Sequence, residues 1–191
     1  EDGVTRAEDL SPVSGDLCLW QGDITRLQCG AIVNAANSGL TGCYLPCHTC
    51  IDNCIHTYAG IQLRQDCAAL MAAQGHAEPA GQAKITRAYN LPCDYVLHTV
   101  GPIVEGPLTA EHERLLTSCY RACLEAAAEH GLESVAFCCI STGEFHFPNQ
   151  EAAEIAVKTV TDFLRRDTPI RKVIFNVFKD IDAEIYRDLL G

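Results

Sequence analysis

The stretch Leu40–His56, "LTGCYLPCHTCIDNCIH", holds four cysteines and two histidines in seventeen positions. Cys43, Cys47, His48, Cys50, Cys54 and His56 offer thiolate sulfur and imidazole nitrogen, the donors zinc prefers. A structural zinc site is closed by four protein ligands, whereas a catalytic one keeps three and leaves a position open. The spacing is not that of a zinc finger, because no second Cys-x-x-Cys stands at the required distance. The cluster is therefore either a structural clip or a place where a ligand is handled. Cys54 and His56 fall inside a helical pattern and point in different directions from it.

Two further stretches carry chemistry. "STGEFHFPN", Ser141–Asn149, lies between an apolar run and a helix start. Backbone N–H groups in such a turn, with the helix N-terminus behind them, can cradle phosphate oxygens. It is not a Walker loop, since no Gly-Lys-Ser/Thr occurs; an ordinary capped loop is the alternative. In "QGDITRLQCGAIVNAANSGL", Gln21–Leu40, Asp23 directly follows an apolar run. Its carboxylate can accept from a purine amino group or ribose hydroxyls, or it can cap the turn. Asn34 and Asn37 stand three apart at the end of the next run. Their amides offer donor and acceptor together, which suits sugar hydroxyls; the alternative is that they tie down their loop.

These loops need strands to hold them. Leu17–Gln21, Ala31–Ala35, Ala83–Ala88, Tyr95–Val100, Ser134–Ile140 and Lys172–Phe178 are short and apolar, bounded by Gly, Pro or Asp, and predict strands. Helical spacing follows Ile51 through Leu70, with Asp52 and Asn53 at the expected N-cap. A second helix is expected over Thr109–His130, stopped by Gly131. A third begins near Asn149 and ends at the cations before Pro169, and a last one covers about Asp182–Leu190. Alternating strands and helices predict an α/β fold with a mainly parallel sheet covered on both faces. In such sheets ligands bind beyond the carboxyl ends of the strands, and both unusual loops follow strands. Residues 1–14 are polar and are expected as an N-terminal tail, with one domain over 15–191.

The 191 residues suit one domain, and 48% hydrophobic residues supply a normal core. The net charge of −11, with no basic stripe, argues against nucleic acid as partner. No apolar run approaches the roughly 18 residues that span a bilayer, and no secretory leader opens the chain. Membrane association is not expected. Several of the twelve cysteines sit in apolar runs and behave as small core hydrophobes, so a reducing, cytoplasmic location is expected.

"GDIT", "AIVNAANS", "IDNCIH", "AKITRAYNLPCDYVLHTVGP" and "STGEFHFP", in this order, resemble the macrodomain, the ADP-ribose-binding fold. The resemblance runs from about Gly15 to Leu190. It implies a three-layer α/β/α domain with a mixed, largely parallel central sheet whose cleft holds ADP-ribose. Carried over, Asp23 and Ile24 resemble the adenine-contacting pair, and Asn34 and Asn37 the residues near the distal ribose. Ser141, Thr142, Gly143, Glu144 and Phe145 match the diphosphate loop, which His146 extends where the family usually has Gly. Phe178 matches the aromatic that stacks on adenine.

The family's glycine run after "NAANS" is replaced here by "GCYLPCHTC". This resembles a zinc-containing microbial subclass associated with sirtuin-type ADP-ribosyltransferases. The resemblance implies Cys43, His48 and Cys50 as ligands of a Zn cofactor, with Cys47 at a variable position. A closed site would need Cys47, Cys54, His56 or His146 as a fourth ligand.

The activity implied is hydrolysis of mono-ADP-ribose from modified proteins, with an Asp/Glu linkage expected and a lipoyl-carrier protein modified by such a transferase as a candidate substrate. Candidate catalytic residues are Asn37, Asp52 and Glu144; the alternative role for Asp52 is a helix cap. The alternative is a reader that binds ADP-ribose without turnover and uses zinc only to shape the loop. A monomer is expected.

Overall fold

The computed structural model describes residues 3–45 and 50–191 of the chain. Among the described residues there are eight strands and five α-helices, in the order β1 (Thr5–Arg6), β2 (Leu17–Gln21), β3 (Leu27–Gln28), β4 (Ala31–Ala35), α1 (Ile51–Ala59), α2 (Ile61–Gln74), β5 (Ala83–Arg87), β6 (Tyr95–Thr99), α3 (Ala110–Glu129), β7 (Ser134–Phe137), α4 (Asn149–Leu164), β8 (Lys172–Val177) and α5 (Asp180–Leu190). Six strands form the central sheet in the order β2-β8-β7-β4-β6-β5. All its pairings are parallel except β5 with β6, so the sheet is mixed but largely parallel, as expected.

The core strands lack polar alternation because both faces are covered. Ala31, Ile32, Val33 and Asn34 of β4 are all at 0% exposure. On one side α3, α4 and α5 pack side by side, with Tyr120 against Phe137 (ring centroids 4.9 Å apart) and Tyr186 stacked on Phe175 (5.0 Å). α1 and α2 pack on each other and against β4 and β5. The result is a three-layer α/β/α fold. No helix among the described residues is long and apolar enough to cross a membrane.

Four details depart from the sequence expectation. The single helix expected from Ile51 to Leu70 is two helices, broken at Gly60, whose φ of 97° favours glycine. The N-cap of α1 is Cys50, not Asp52 or Asn53: its sulfur accepts the Asn53 N–H at 3.4 Å. Asp52 is turned inward instead, at 4% exposure. Residues read as a polar tail also dock on the domain. Thr5–Arg6 pairs in parallel with Leu27–Gln28, and Lys172 Nζ donates to Ala7 O and Leu10 O at 2.8 Å each.

β7 ends at Phe137, earlier than expected. The chain then turns through Ser141 at φ 67°, a left-handed conformation uncommon outside glycine. That turn re-aims the following loop across the sheet end.

Candidate functional site

A cavity of about 440 Å³ opens beyond the carboxyl ends of β4, β6 and β7, where an open α/β sheet places ligands. One wall is the loop after β7, with Ser141, Gly143, Glu144 and Phe145. The opposite wall is the segment after β4, with Asn37, Cys43 and Leu45, and the start of α1, with Cys50, Ile51 and Asp52. Ala35, Ala36, Gly101 and Cys139 form the rest.

The Ser141 loop is braced on itself. Phe147 N–H donates to Ser141 O at 2.8 Å, His146 N–H to Gly143 O at 3.1 Å, and Val104 N–H to Phe145 O at 2.8 Å. Ser141 Oγ is buried without a hydrogen-bond partner. It sits on Gly101, where a Cβ would come within 1.9 Å of Ser141 Oγ. A glycine is therefore needed at that contact. An orphaned hydroxyl in a tight backbone turn suits an acceptor-rich anion. His146 is exposed and does not line the cavity, and neither does Thr142, whose hydroxyl donates to Cys139 O at 3.3 Å.

At the other end, the Cys50 thiol is hydrogen-bonded to Cys43. Burial first, and the Cys43 thiol after it, push Cys50 up to about 11, while the Asn53 N–H opposes the rise. Two touching thiols on the cavity wall, one at a helix N-terminus, are a donor pair that a cation would readily deprotonate. His48 and Cys47 lie outside the described residues. Cys43 and Cys50 thus fit the zinc expected from the sequence, as two of its three ligands. Cys54 lies near enough to Asp23 to feel its charge.

Asp52 lines the cavity from beside the thiols. Burial raises its carboxyl above the usual range, and the Asn34 hydrogen bond and Arg64 partly offset that. Asn34 approaches from behind: its Nδ2 donates to Asp52 Oδ1 at 2.8 Å. At 0% exposure, Asn34 does not line the cavity that sequence reading had it serve directly. Asn37 does line it, but both ends of its amide are committed. Nδ2 donates to Gly42 O and Oδ1 accepts from Gly39 N–H, each at 3.1 Å. The loop-tying alternative therefore describes what Asn37 does here.

His56, Cys67 and His98 bring donor atoms within 4.8 Å of one another in the core. His98 Nε2 is 2.9 Å from Thr86 Oγ1, and its Nδ1 is 3.3 Å from Asn34 Nδ2. Within the trio only Cys67 and His98 are in hydrogen-bond contact, at 3.7 Å; both ring nitrogens of His56 are buried without a hydrogen-bond partner. Burial, then Arg64, lowers His56 to about 4, so its 3.5 Å approach to Asp52 is no ion pair at neutral pH.

Asp23, Ile24 and Phe178 lie outside the cavity. Asp23 Oδ1 accepts from Thr25 N–H (3.0 Å) and Oγ1 (2.6 Å), capping a 3₁₀ turn whose Ile24 is buried. Phe178, directly after β8, is 81% exposed. Sequence reading missed Leu45, Ile51, Gly101 and Cys139 as lining residues. Gly101 was legible in "HTVGP", directly after a predicted strand; the others are ordinary apolar residues with no local signal.

The Macro domain family profile matches residues 33–156, more than half of the chain. The chain belongs to the Macro domain family. Among curated relatives, a protein of Treponema medium called "Protein-ADP-ribose hydrolase" is 57% identical over 195 residues, covering 100% of this chain and 75% of that protein. A Staphylococcus aureus (strain MSSA476) protein of the same name is 53% identical over 187 residues, covering 97% and 70%. Among solved structures, the Trypanosoma brucei macrodomain in complex with ADP-ribose superposes with a TM-score of 0.86 at 33% identity, covering 99% of this chain and 78% of that one. In this macrodomain, the cavity at the sheet end has the two thiols at one end and the braced Ser141 loop along its wall.

Proposed function

We propose that this macrodomain hydrolyses the bond between ADP-ribose and a protein side chain, with Asp/Glu esters as the linkage and zinc held by Cys43, His48 and Cys50. One observation carries the reading. A buried carboxylate, Asp52, and two thiols, Cys43 and Cys50, converge at the end of a cleft walled by an anion-suited loop. The relatives called protein-ADP-ribose hydrolase support it.

The diphosphate lies along Ser141–Phe145, of which Ser141, Gly143, Glu144 and Phe145 line the cavity. Adenine reaches Phe178, and Asp23 Oδ2, which lies 3.7 Å from Arg26 Nε, accepts from it. The distal ribose ends beside Asp52. As its anomeric carbon gains positive charge, the Asp52 carboxylate stabilises that charge and orients the attacking water. Burial keeps Asp52 basic enough to take the water's proton as it attacks. The substrate's side-chain carboxylate departs as an anion, and Glu144, which also lines the cavity, is the second carboxylate of the site. Zinc, when bound, supplies Lewis acidity toward a ribose hydroxyl or water.

The test measures release of ADP-ribose from Asp/Glu-, Ser- and Arg-linked protein substrates, with and without chelator. Expected is chelator-sensitive release from the Asp/Glu-linked substrate. Tight ADP-ribose binding without release from any substrate makes the protein a reader. Chelator-insensitive turnover removes zinc from the mechanism.

A further inference from the structure

We propose that His98 is a positioning residue: it holds the Asn34 amide in one orientation and, through it, sets the Asp52 carboxylate toward the cleft. The proposal rests on the hydrolase reading above for its kinetic consequence, but not for its geometry.

The strand register brings the three residues together. Asn34 of β4 and His98 of β6 are direct partners across a parallel pair, and Thr86 lies on the neighbouring β5. Each atom in the chain has one role. A carboxylate only accepts, so the Asn34 atom 2.8 Å from Asp52 Oδ1 is the NH₂ group. The second hydrogen of that group points to His98 Nδ1 at 3.3 Å. Nδ1 must therefore be the unprotonated nitrogen, and Nε2 carries the hydrogen. Nε2 donates it to Thr86 Oγ1 at 2.9 Å, with the Cys67 sulfur 3.7 Å away. Full burial, aided by His56, keeps the imidazole neutral, its pKa lowered to about 3. The Asp52 carboxylate thus fixes the amide orientation, the amide fixes the tautomer, Thr86 Oγ1 accepts the Nε2 hydrogen, and His98 in turn holds the amide against one oxygen of Asp52.

His98 is buried at 0% exposure and touches no cavity atom. Its loss should therefore spare ligand binding and slow chemistry. This is the signature of a group acting through another.

The experiment compares wild type with His98→Leu and His98→Asn in three readouts. The first is ¹⁵N-histidine NMR of the intact protein at neutral pH, which reports the tautomer whether or not the protein is an enzyme. The Nε2–H form is expected; the Nδ1–H form overturns the proposal, since Nδ1 then cannot accept from Asn34. The second is kcat on the ADP-ribosylated protein against Kd for free ADP-ribose. His98→Leu should lower kcat about 10–100-fold, with Kd changed by less than about threefold. The third is rescue. Asn retains an acceptor near the Nδ1 position, and His98→Asn should recover most of the lost kcat. Equal losses in kcat and in active ligand-binding fraction, unrelieved by Asn, mean a purely structural role and overturn the proposal. If the wild type shows no hydrolysis, the functional reading fails; the tautomer measurement and the Asn34 side-chain NH₂ signals in His98→Leu then decide the positioning claim alone.

Discussion

Asn34 donates its amide to Asp52 Oδ1 at 2.8 Å, joining the buried end of β4 to the first turn of α1. The contact turns Asp52 away from the capping role its place at a helix start invites. Truncating Asp52 to alanine should lower kcat by about 10²–10⁴, the range for a lost general base. ADP-ribose affinity should change far less, because the diphosphate and adenine ends are untouched. Single-turnover kinetics with isothermal titration would check this; a parallel loss of binding would show Asp52 serving the ligand rather than the chemistry.

Cys50 caps α1 through its sulfur and shares a hydrogen bond with Cys43. Serine is among the best N-caps. Cys50→Ser should therefore keep the helix while removing one of the thiols proposed to hold zinc. Zinc content by mass spectrometry should fall from about one per chain to well below half, with the metal-free melting temperature shifted by only a few degrees. Retention of zinc in both Cys50→Ser and Cys43→Ser would remove these thiols as ligands.

Gly101 is held by contact, not by backbone conformation. A Cβ there would stand 1.9 Å from Ser141 Oγ and 2.9 Å from Ile140 Cγ2. Gly101→Ala should push the Ser141 turn outward and cost about 1–3 kcal/mol of stability as overpacking. ADP-ribose affinity should weaken by about tenfold or more, since the displaced turn lines the cleft. Unchanged affinity and melting would mean the turn relaxes freely.

Phe178 should show the opposite pattern. At 81% exposure its ring contributes little to folding. Phe178→Ala should leave stability within about 0.5 kcal/mol and weaken ADP-ribose binding by about 1–3 kcal/mol, the range for a base–aromatic stack. Free phosphate compounds lacking the base should bind both forms alike.

Acid should destabilise the protein through His98. Its folded pKa is lowered from 6.5 to about 3 by burial and His56. Between those values the unfolded chain binds the proton and the folded one does not. The contribution is fully present above pH 6.5 and is lost progressively as pH falls toward 3. Denaturation of His98→Asn across pH 7 to 4.5 should show a shallower slope, by up to about 1.4 kcal/mol per pH unit. Coincident slopes would show that His98 titrates normally.

Much of this was legible locally. The strand runs and the Gly131 stop follow from apolar runs and turn residues, and the structure places those elements within one to three residues of expectation. Asp52 showed its limits. Its position just after Cys50 predicts a cap, and only the neighbouring strand reveals the amide that draws it inward. Asn34 and Asn37 look alike in "NAAN". The pleat buries one beneath α1 and leaves the other on the loop, where it bonds Gly39 and Gly42.

The residue pattern by itself determined the layer order, the cleft at the strand ends and the soft-ligand loop, because those depend on periodicity and on donor chemistry within short stretches. Only the tertiary structure decided which side chain faces which. The Asn34–His98 pairing, the contact of Ser141 with Gly101 and the meeting of Cys43 with Cys50 each join elements whose relative placement comes from sheet register and helix packing. Those are set by the burial of the whole core rather than by any local run of residues.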